Sequence, residues 1–185
     1  MSESNELKKS QGRKVILYIA MSVDGYIATH DDDLAFLAQV EQEGEDYGYN
    51  EFIKTVDTVL LGRRTYDKVM SMGAEFTHAD KITYVLSRTP KSGTGNLQFY
   101  SSGLRALVTK LKSEPGKNIF CDGGAHVVHE LLRENLIDEF YISIIPTMLG
   151  SGISLFRDGR PPINLKLVSS KSFDKGLVQM HFVKG

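Results

Sequence analysis

The stretch that most constrains the fold is residues 118–156, NIFCDGGAHVVHELLRENLIDEFYISIIPTMLGSGISLF. It opens with a short apolar run, Ile119, Phe120 and Cys121, breaks at Asp122, Gly123 and Gly124, and restarts at helical spacing with Val127, Val128, Leu131 and Leu132. After Arg133, Glu134 and Asn135 the period returns to two, as Phe140, Ile142 and Ile144 alternate with Tyr141, Ser143 and Ile145. Strand, glycine turn, helix and strand make a βαβ unit, which commits the chain to parallel strands covered by helices. The Gly123-Gly124 step itself reads two ways. It is a plain turn, or it is a phosphate cradle, because unpaired N–H groups and the positive end of the helix dipole favour an anion at a helix start.

The chain upstream is built the same way. Residues 15–21 (VILYIAM) are a continuous apolar run, expected as a strand buried on both faces, and Ser22 to Gly25 turn it into a short extended piece at 26–28. His30 and three aspartates, Asp31, Asp32 and Asp33, precede a predicted helix at 34–38; capping and dipole compensation occupy one or two of those carboxylates and leave one spare. Tyr49, Phe52, Ile53 and Val56 mark a second helix. Residues 58–61 read as a buried strand that runs straight into Gly62, Arg63, Arg64 and Thr65 and then a helix carrying Tyr66, Val69 and Met70. Two arginines at a helix N-terminus are unfavourable unless an anion sits there or both point into water. Residues 81–87 form the next strand, with Ser87 and Arg88 at its end, followed by a polar loop at 88–96 and a short strand at 97–100. Ser101 or Ser102 is expected to cap a helix bearing Leu104, Leu107, Val108 and Leu111 that Pro115-Gly116 ends. Past the βαβ unit, residues 163–168 and 171–173 are strand-like, and Val178, Met180 and Phe182 alternate in a last half-buried strand.

Composition narrows the function classes. With 185 residues and 41% hydrophobic content, the expectation is a disordered tail at 1–12 and a single domain at 13–185. The net charge of −1 with scattered Lys and Arg argues against nucleic acid or an anionic membrane as partner and for a small molecule. Cys121 is the only cysteine, which excludes an internal disulfide. His126 and His129 lie three apart on one helix but lack a third ligand at workable spacing, so no metal is expected. Neither a nucleophile elbow nor a P-loop is present. Without a signal peptide or a long apolar run, the expected location is cytoplasmic. The apolar richness of 141–148 and 154–156 suggests a homodimer.

Taken in order, SVDGYIA at 22–28, LGRRTY at 61–66, LSR at 86–88, Gly123-Gly124 and PTMLGSG at 146–152 resemble the dihydrofolate-reductase-like superfamily. Within it the chain is most similar to the reductase domain of the riboflavin-biosynthesis deaminase/reductase (RibD C-terminal-like) and its stand-alone relatives, over about residues 14–184. The resemblance implies an α/β fold: a mixed sheet, mostly parallel with antiparallel C-terminal strands, flanked by helices. It also implies NADPH as cofactor and a nitrogen heterocycle as substrate, most like 5-amino-6-(5-phosphoribosylamino)uracil, with dihydrofolate or another pterin as an alternative. A non-catalytic NADP(H)-binding protein is the alternative from another class. By resemblance, Gly62, Arg63, Arg64, Thr65, Ser87 and Arg88 hold the 2′-phosphate side of NADPH, and Gly123, Gly124, Ala125, His126 and Val127 the diphosphate. Ala20, Ile27 and Ala28 flank the nicotinamide. Asp33 is the expected proton-handling acid, as a half-buried carboxyl beside the substrate, and Asp24 the second candidate. The tryptophan that folate enzymes usually carry beside the substrate is absent.

Overall fold

A computed structural model describes residues 12–71, 73 and 76–185, so the tail expectation for residues 1–11 lies outside the described residues. The sheet has eight strands in the order β5-β4-β3-β6-β1-β7-β10-β9. Its centre is β1 (Val15–Ser22), flanked by parallel β6 (Asn118–Gly123) and parallel β7 (Glu139–Ile145). Beyond β6 lie β3 (Val56–Gly62), β4 (Ile82–Leu86) and β5 (Leu97–Tyr100), all parallel. On the other side β10 (Val178–Lys184) runs antiparallel to β7 and carries the edge strand β9 (Leu165–Ser172). A separate two-stranded ribbon joins β2 (Tyr26–Ala28) to β8 (Ile153–Ser154).

Strand alternation divides the core into two faces. Leu17, Leu60, Ile119 and Cys121 face α3 (Leu104–Ser113) and α4 (Ala125–Arg133), where Val108, Val128 and Leu131 are fully buried. Ile16, Val59 and Phe120 face α1 (Tyr49–Lys54) through an aromatic layer of Tyr18, Tyr49, Phe52 and Tyr141. Tyr18 stacks on Phe52 at 4.6 Å, and Phe52 meets Phe120 edge-on at 5.0 Å.

The amino ends of the strands are tied by Arg13. Its side chain, 6% exposed, donates to Asp57 Oδ1 (2.5 Å), Thr58 Oγ1 (2.6 Å) and the Lys117 carbonyl (2.7 Å). With Nη1 donating to the Leu111 carbonyl at 3.2 Å as well, four of the five guanidinium N–H groups have acceptors, which is what makes a buried guanidinium tolerable. Gly116 leaves room for it, because a Cβ there would stand 2.9 Å from Arg13 Cζ.

Several local expectations are corrected. Residues 35–40 form a 3-10 helix rather than a helix at 34–38, and Val56 starts β3 instead of closing α1. The residue before α3 is Gly103, with no side-chain cap from either serine. The strand expected to break at Asp122 continues through Gly123. The pieces expected at 163–168 and 171–173 are one strand, β9. The apolar run at 141–148 is largely consumed by the core, since Ile142 and Ile145, like Leu155 downstream, are buried, while Met148 is 72% exposed.

Candidate active site

The carboxyl ends of β3, β6 and β1 lie side by side, and two helices begin there. β3 ends at Gly62 and α2 (Arg63–Ser71) starts at the next residue; β6 ends at Gly123 and α4 starts at Ala125. Two helix N-termini therefore converge on one edge of the sheet. The approach is too close for side chains. A Cβ on Gly62 would lie 3.2 Å from Val127 Cγ2, and one on Gly124 would lie 2.9 Å from Thr65 Oγ1. The Gly124 N–H donates to that same Thr65 oxygen at 3.2 Å. Gly123, at φ 99°, occupies the left-handed region that only glycine enters freely, and the Gly123–Gly124 peptide is cis. No side chain caps α4, so its first N–H groups stay available to a ligand.

Arg63 and Arg64 are each compensated by a carboxylate, which corrects the reading of the pair as uncompensated cations. Arg63 Nε donates to both Asp67 carboxylate oxygens at 2.7 Å, and its guanidinium lies 5.4 Å from the Phe99 ring centre. Arg64 pairs with Asp32 at 2.6 Å, joining the loop after β2 to the start of α2. Arg88 is exposed, and Ser87 Oγ is spent on the Thr89 turn. Lys91, which the sequence did not single out, places its ammonium 5.0 Å from the Phe99 ring. Ala20 and Ile27 are half-buried and Ala28 is buried where β1 gives way to the ribbon. His126 is exposed on the first turn of α4, and His129 keeps a buried Nδ1 without a hydrogen-bond partner among the described residues.

The three acidic candidates sit in different environments. Asp33 is exposed, not half-buried as expected, and its Oδ1 accepts the Ala35 N–H. Asp24 accepts from Ser22 Oγ (2.5 Å), Leu149 N (3.1 Å) and Gly150 N (2.7 Å). The Ser22 hydroxyl first, and those two amides with it, hold its carboxyl below the usual range, so Asp24 is an ionised clasp between the β1 end and the loop 146–152. Asp122 was read only as part of a turn. It is the penultimate residue of β6, where the register with β3 shifts, and its side chain, 33% exposed, lies on the side of Phe120, since the His78 ring it bonds meets Phe120 edge-on. Its Oδ2 accepts from Nε2 of His78, whose side chain is 4% exposed, at 3.1 Å. Nearby Tyr49 has its hydroxyl pushed up to about 12, by burial and then by the negative charge of Asp122, which keeps it protonated. The signal for Asp122 was present in the sequence: a charged residue inside a buried strand and flush against Gly-Gly. His78 lies in a segment without periodicity and carried no signal.

Two shallow cavities lie elsewhere. One of about 360 Å³ is at the amino end of the sheet by Lys14 and Glu139, and one of about 220 Å³ is lined by Phe140, Ile142, Phe156 and Leu165. Among the described residues, no group of three His, Cys, Asp or Glu side chains could hold a metal ion. No helix there is long and apolar enough to cross a membrane.

Residues 13–179 match the RibD C-terminal domain family. The chain belongs to that family. Among its relatives, this RibD C-terminal domain is 43% identical to the uncharacterized protein YwjB of Bacillus subtilis over 93% of this chain and 98% of that one. A Shewanella sp. PV-4 protein, provisionally named for riboflavin biosynthesis, superposes with TM-score 0.84 at 27% identity, covering 93% of this chain and 99% of its own. The Thermotoga maritima diaminohydroxyphosphoribosylaminopyrimidine deaminase/5-amino-6-(5-phosphoribosylamino)uracil reductase shares the fold at TM-score 0.71 and 17% identity, over 94% of this chain and 57% of that one. The mixed sheet of this RibD C-terminal domain is that of the dihydrofolate-reductase-like fold.

Proposed function

We propose that the protein is an NADPH-dependent reductase of a nitrogen heterocycle, most like 5-amino-6-(5-phosphoribosylamino)uracil. The observation that carries this reading is the close approach of Gly62, Thr65 and Gly124, which brings two helix starts and bare backbone to the ends of β3 and β6. A diphosphate fits there against Gly123, Gly124, Ala125, His126 and Val127. The 2′-phosphate falls to Arg63, Arg64, Thr65, Ser87 and Arg88, with Lys91 added, and the nicotinamide to Ala20, Ile27 and Ala28. Bound NADPH supplies the hydride. The chain's own part is to seat the heterocycle and to handle a proton, and Asp122 is the carboxylate for it: Oδ2 is engaged by His78 and Oδ1 has no partner among the described residues.

The test is NADPH binding followed by loss of NADPH absorbance over a panel of pterins and ribosylated aminouracils. Binding with turnover on an aminouracil supports the proposal, and turnover on a pterin alone selects pterin reduction instead. Binding without turnover on any member selects the non-catalytic alternative, and absence of NADP(H) binding overturns the cofactor assignment.

We infer a homodimer in addition, formed on a different surface from the one the sequence suggested. All eight residues of edge strand β9 are exposed, with Leu165 at 39%, Leu167 at 53% and Val168 at 53%, beside the cavity lined by Phe140, Phe156 and Ile163. A long exposed edge bearing apolar side chains is a surface that calls for a partner.

A further inference from the structure

We propose that His78 is a positioning residue that fixes the Asp122 carboxylate for a substrate N–H donor; the proposal rests on the site reading given above. His78 lies in the surface turn between α2 and β4, yet its side chain is only 4% exposed. Phe76 meets its ring edge-on at 5.7 Å and Phe120 at 5.8 Å, so the imidazole is clamped between two phenyl rings. Its one side-chain hydrogen bond among the described residues is the 3.1 Å donation from Nε2 to Asp122 Oδ2. A bond from a ring held this way removes the torsional freedom of an aspartate side chain, and the ionised acceptor makes it one of the stronger kinds of hydrogen bond. With Oδ2 fixed, Oδ1 is left without a hydrogen-bond partner among the described residues, and the protonated Tyr49 hydroxyl is close enough to feel the charge of Asp122. Such an arrangement takes a planar ring that offers an N–H or amino group to Oδ1. The other charges around His78 are Asp80 and Lys81 of its own turn, which pair at 2.9 Å. Asp80 is held low by Lys81 first and by His78 among the smaller causes. Among the described residues, Asp122 is the charged group of a neighbouring element that bonds it.

The probe is 5,6-diaminouracil, titrated calorimetrically into the full chain loaded with NADP⁺. His78→Leu keeps the apolar packing and removes the donor; it should weaken the probe roughly five- to tenfold while leaving NADP⁺ affinity unchanged. His78→Gln, whose amide can donate to the same oxygen, should restore binding to within about twofold. Adding His78→Leu to Asp122→Asn should cost nothing further, the mark of two residues acting as one unit. Unchanged probe affinity in His78→Leu together with a loss in Asp122→Asn would overturn the positioning role and keep Asp122 in the site. Failure of the wild type to bind the probe, or indifference to Asp122→Asn, would overturn the site reading and this proposal with it. Should His78→Leu not fold, ring NMR of the wild type decides: the Nε2–H proton should be protected from exchange with solvent and lose that protection in Asp122→Asn, and an unchanged exchange rate overturns the pairing.

Discussion

The N–H of Gly124 donates to Thr65 Oγ1 across 3.2 Å, joining the first turns of α2 and α4, which are 59 residues apart in the chain. A Cβ on Gly124 would lie 2.9 Å from that oxygen, closer than real Cβ contacts come. Gly124→Ala should therefore push the two helix starts apart. We expect NADPH affinity to fall at least about tenfold and stability by about 1–3 kcal/mol, as for other overpacked sites. Titration and a denaturant melt check both numbers, and an alanine variant with full NADPH affinity would show that the cradle is only a turn.

Asp33 and Asp122 make opposite demands on the same assay. Asp33 is exposed and engaged with the Ala35 amide, whereas Asp122 keeps one oxygen open beside a protonated tyrosine. Asp122→Asn should lower turnover by about 10²-fold with NADPH affinity intact, and Asp33→Asn should change turnover by a few-fold at most. The reverse ranking would return the proton to Asp33.

Asp24 predicts a pH signature in stability. Its folded value lies below the ordinary 3.8 because the Ser22 hydroxyl and the Leu149 and Gly150 amides favour the ionised form. A group with a depressed folded value stabilises above its unfolded value and loses that contribution as pH falls through the folded one. The melting temperature of Asp24→Asn should thus lie below that of the wild type near neutrality, and the gap should narrow as pH drops below 3.8. A pH-independent gap would mean that the clasp works through shape alone.

The parts of the fold with a clear period were legible. The β6-α4-β7 unit is legible because α4 turns one apolar stripe into the core, while β6 and β7, with no exposed residue, read as short buried runs on either side of it. β9 was not legible as one strand: the register with β10 shifts between His181 and Phe182, so Leu165 and Leu167 fall on one phase and the residues after the shift on the other. Val56 kept helical spacing with Tyr49 and Phe52 but pairs with Asn118, since the Thr55 amide already closes α1 on the Phe52 carbonyl. At the site, the glycines and arginines could be found because they flank strand ends. The partners of those arginines divide the same way. Asp67 stands four residues from Arg63 on one helix, a legible spacing, whereas Asp32 reaches Arg64 only through the tertiary fold. The His78–Asp122 contact likewise spans 44 residues and arises only from packing.

The exposed edge predicts the assembly. If Leu165, Leu167 and Val168 are covered by a second copy, sedimentation at micromolar protein should give a dimer. Leu167→Lys on the same edge should yield monomer, with the melt otherwise cooperative. A wild-type protein that sediments as monomer would leave β9 an ordinary solvated edge.

Cofactor choice tests the remaining cations. Arg63 and Arg64 already have carboxylate partners, Asp67 and Asp32, so a 2′-phosphate must compete for them, while Arg88 is exposed in the loop after β4. A charge-assisted contact to phosphate is worth about 1.5–3 kcal/mol, so NADPH should bind at least about tenfold more tightly than NADH. Arg88→Ala should erase more of that difference than Arg64→Ala, because removing Arg64 also frees Asp32, which reorganises the loop after β2 in both cofactor complexes. Asp67→Asn should act in the opposite direction: with its carboxylate neutralised, Arg63 is released toward the phosphate and the preference for NADPH should widen. Salt should shrink the preference in every variant that keeps Arg88, since an exposed ion pair is screened. Equal affinity for NADH and NADPH in titrations at low salt would show that these side chains serve only their carboxylate partners and the solvent.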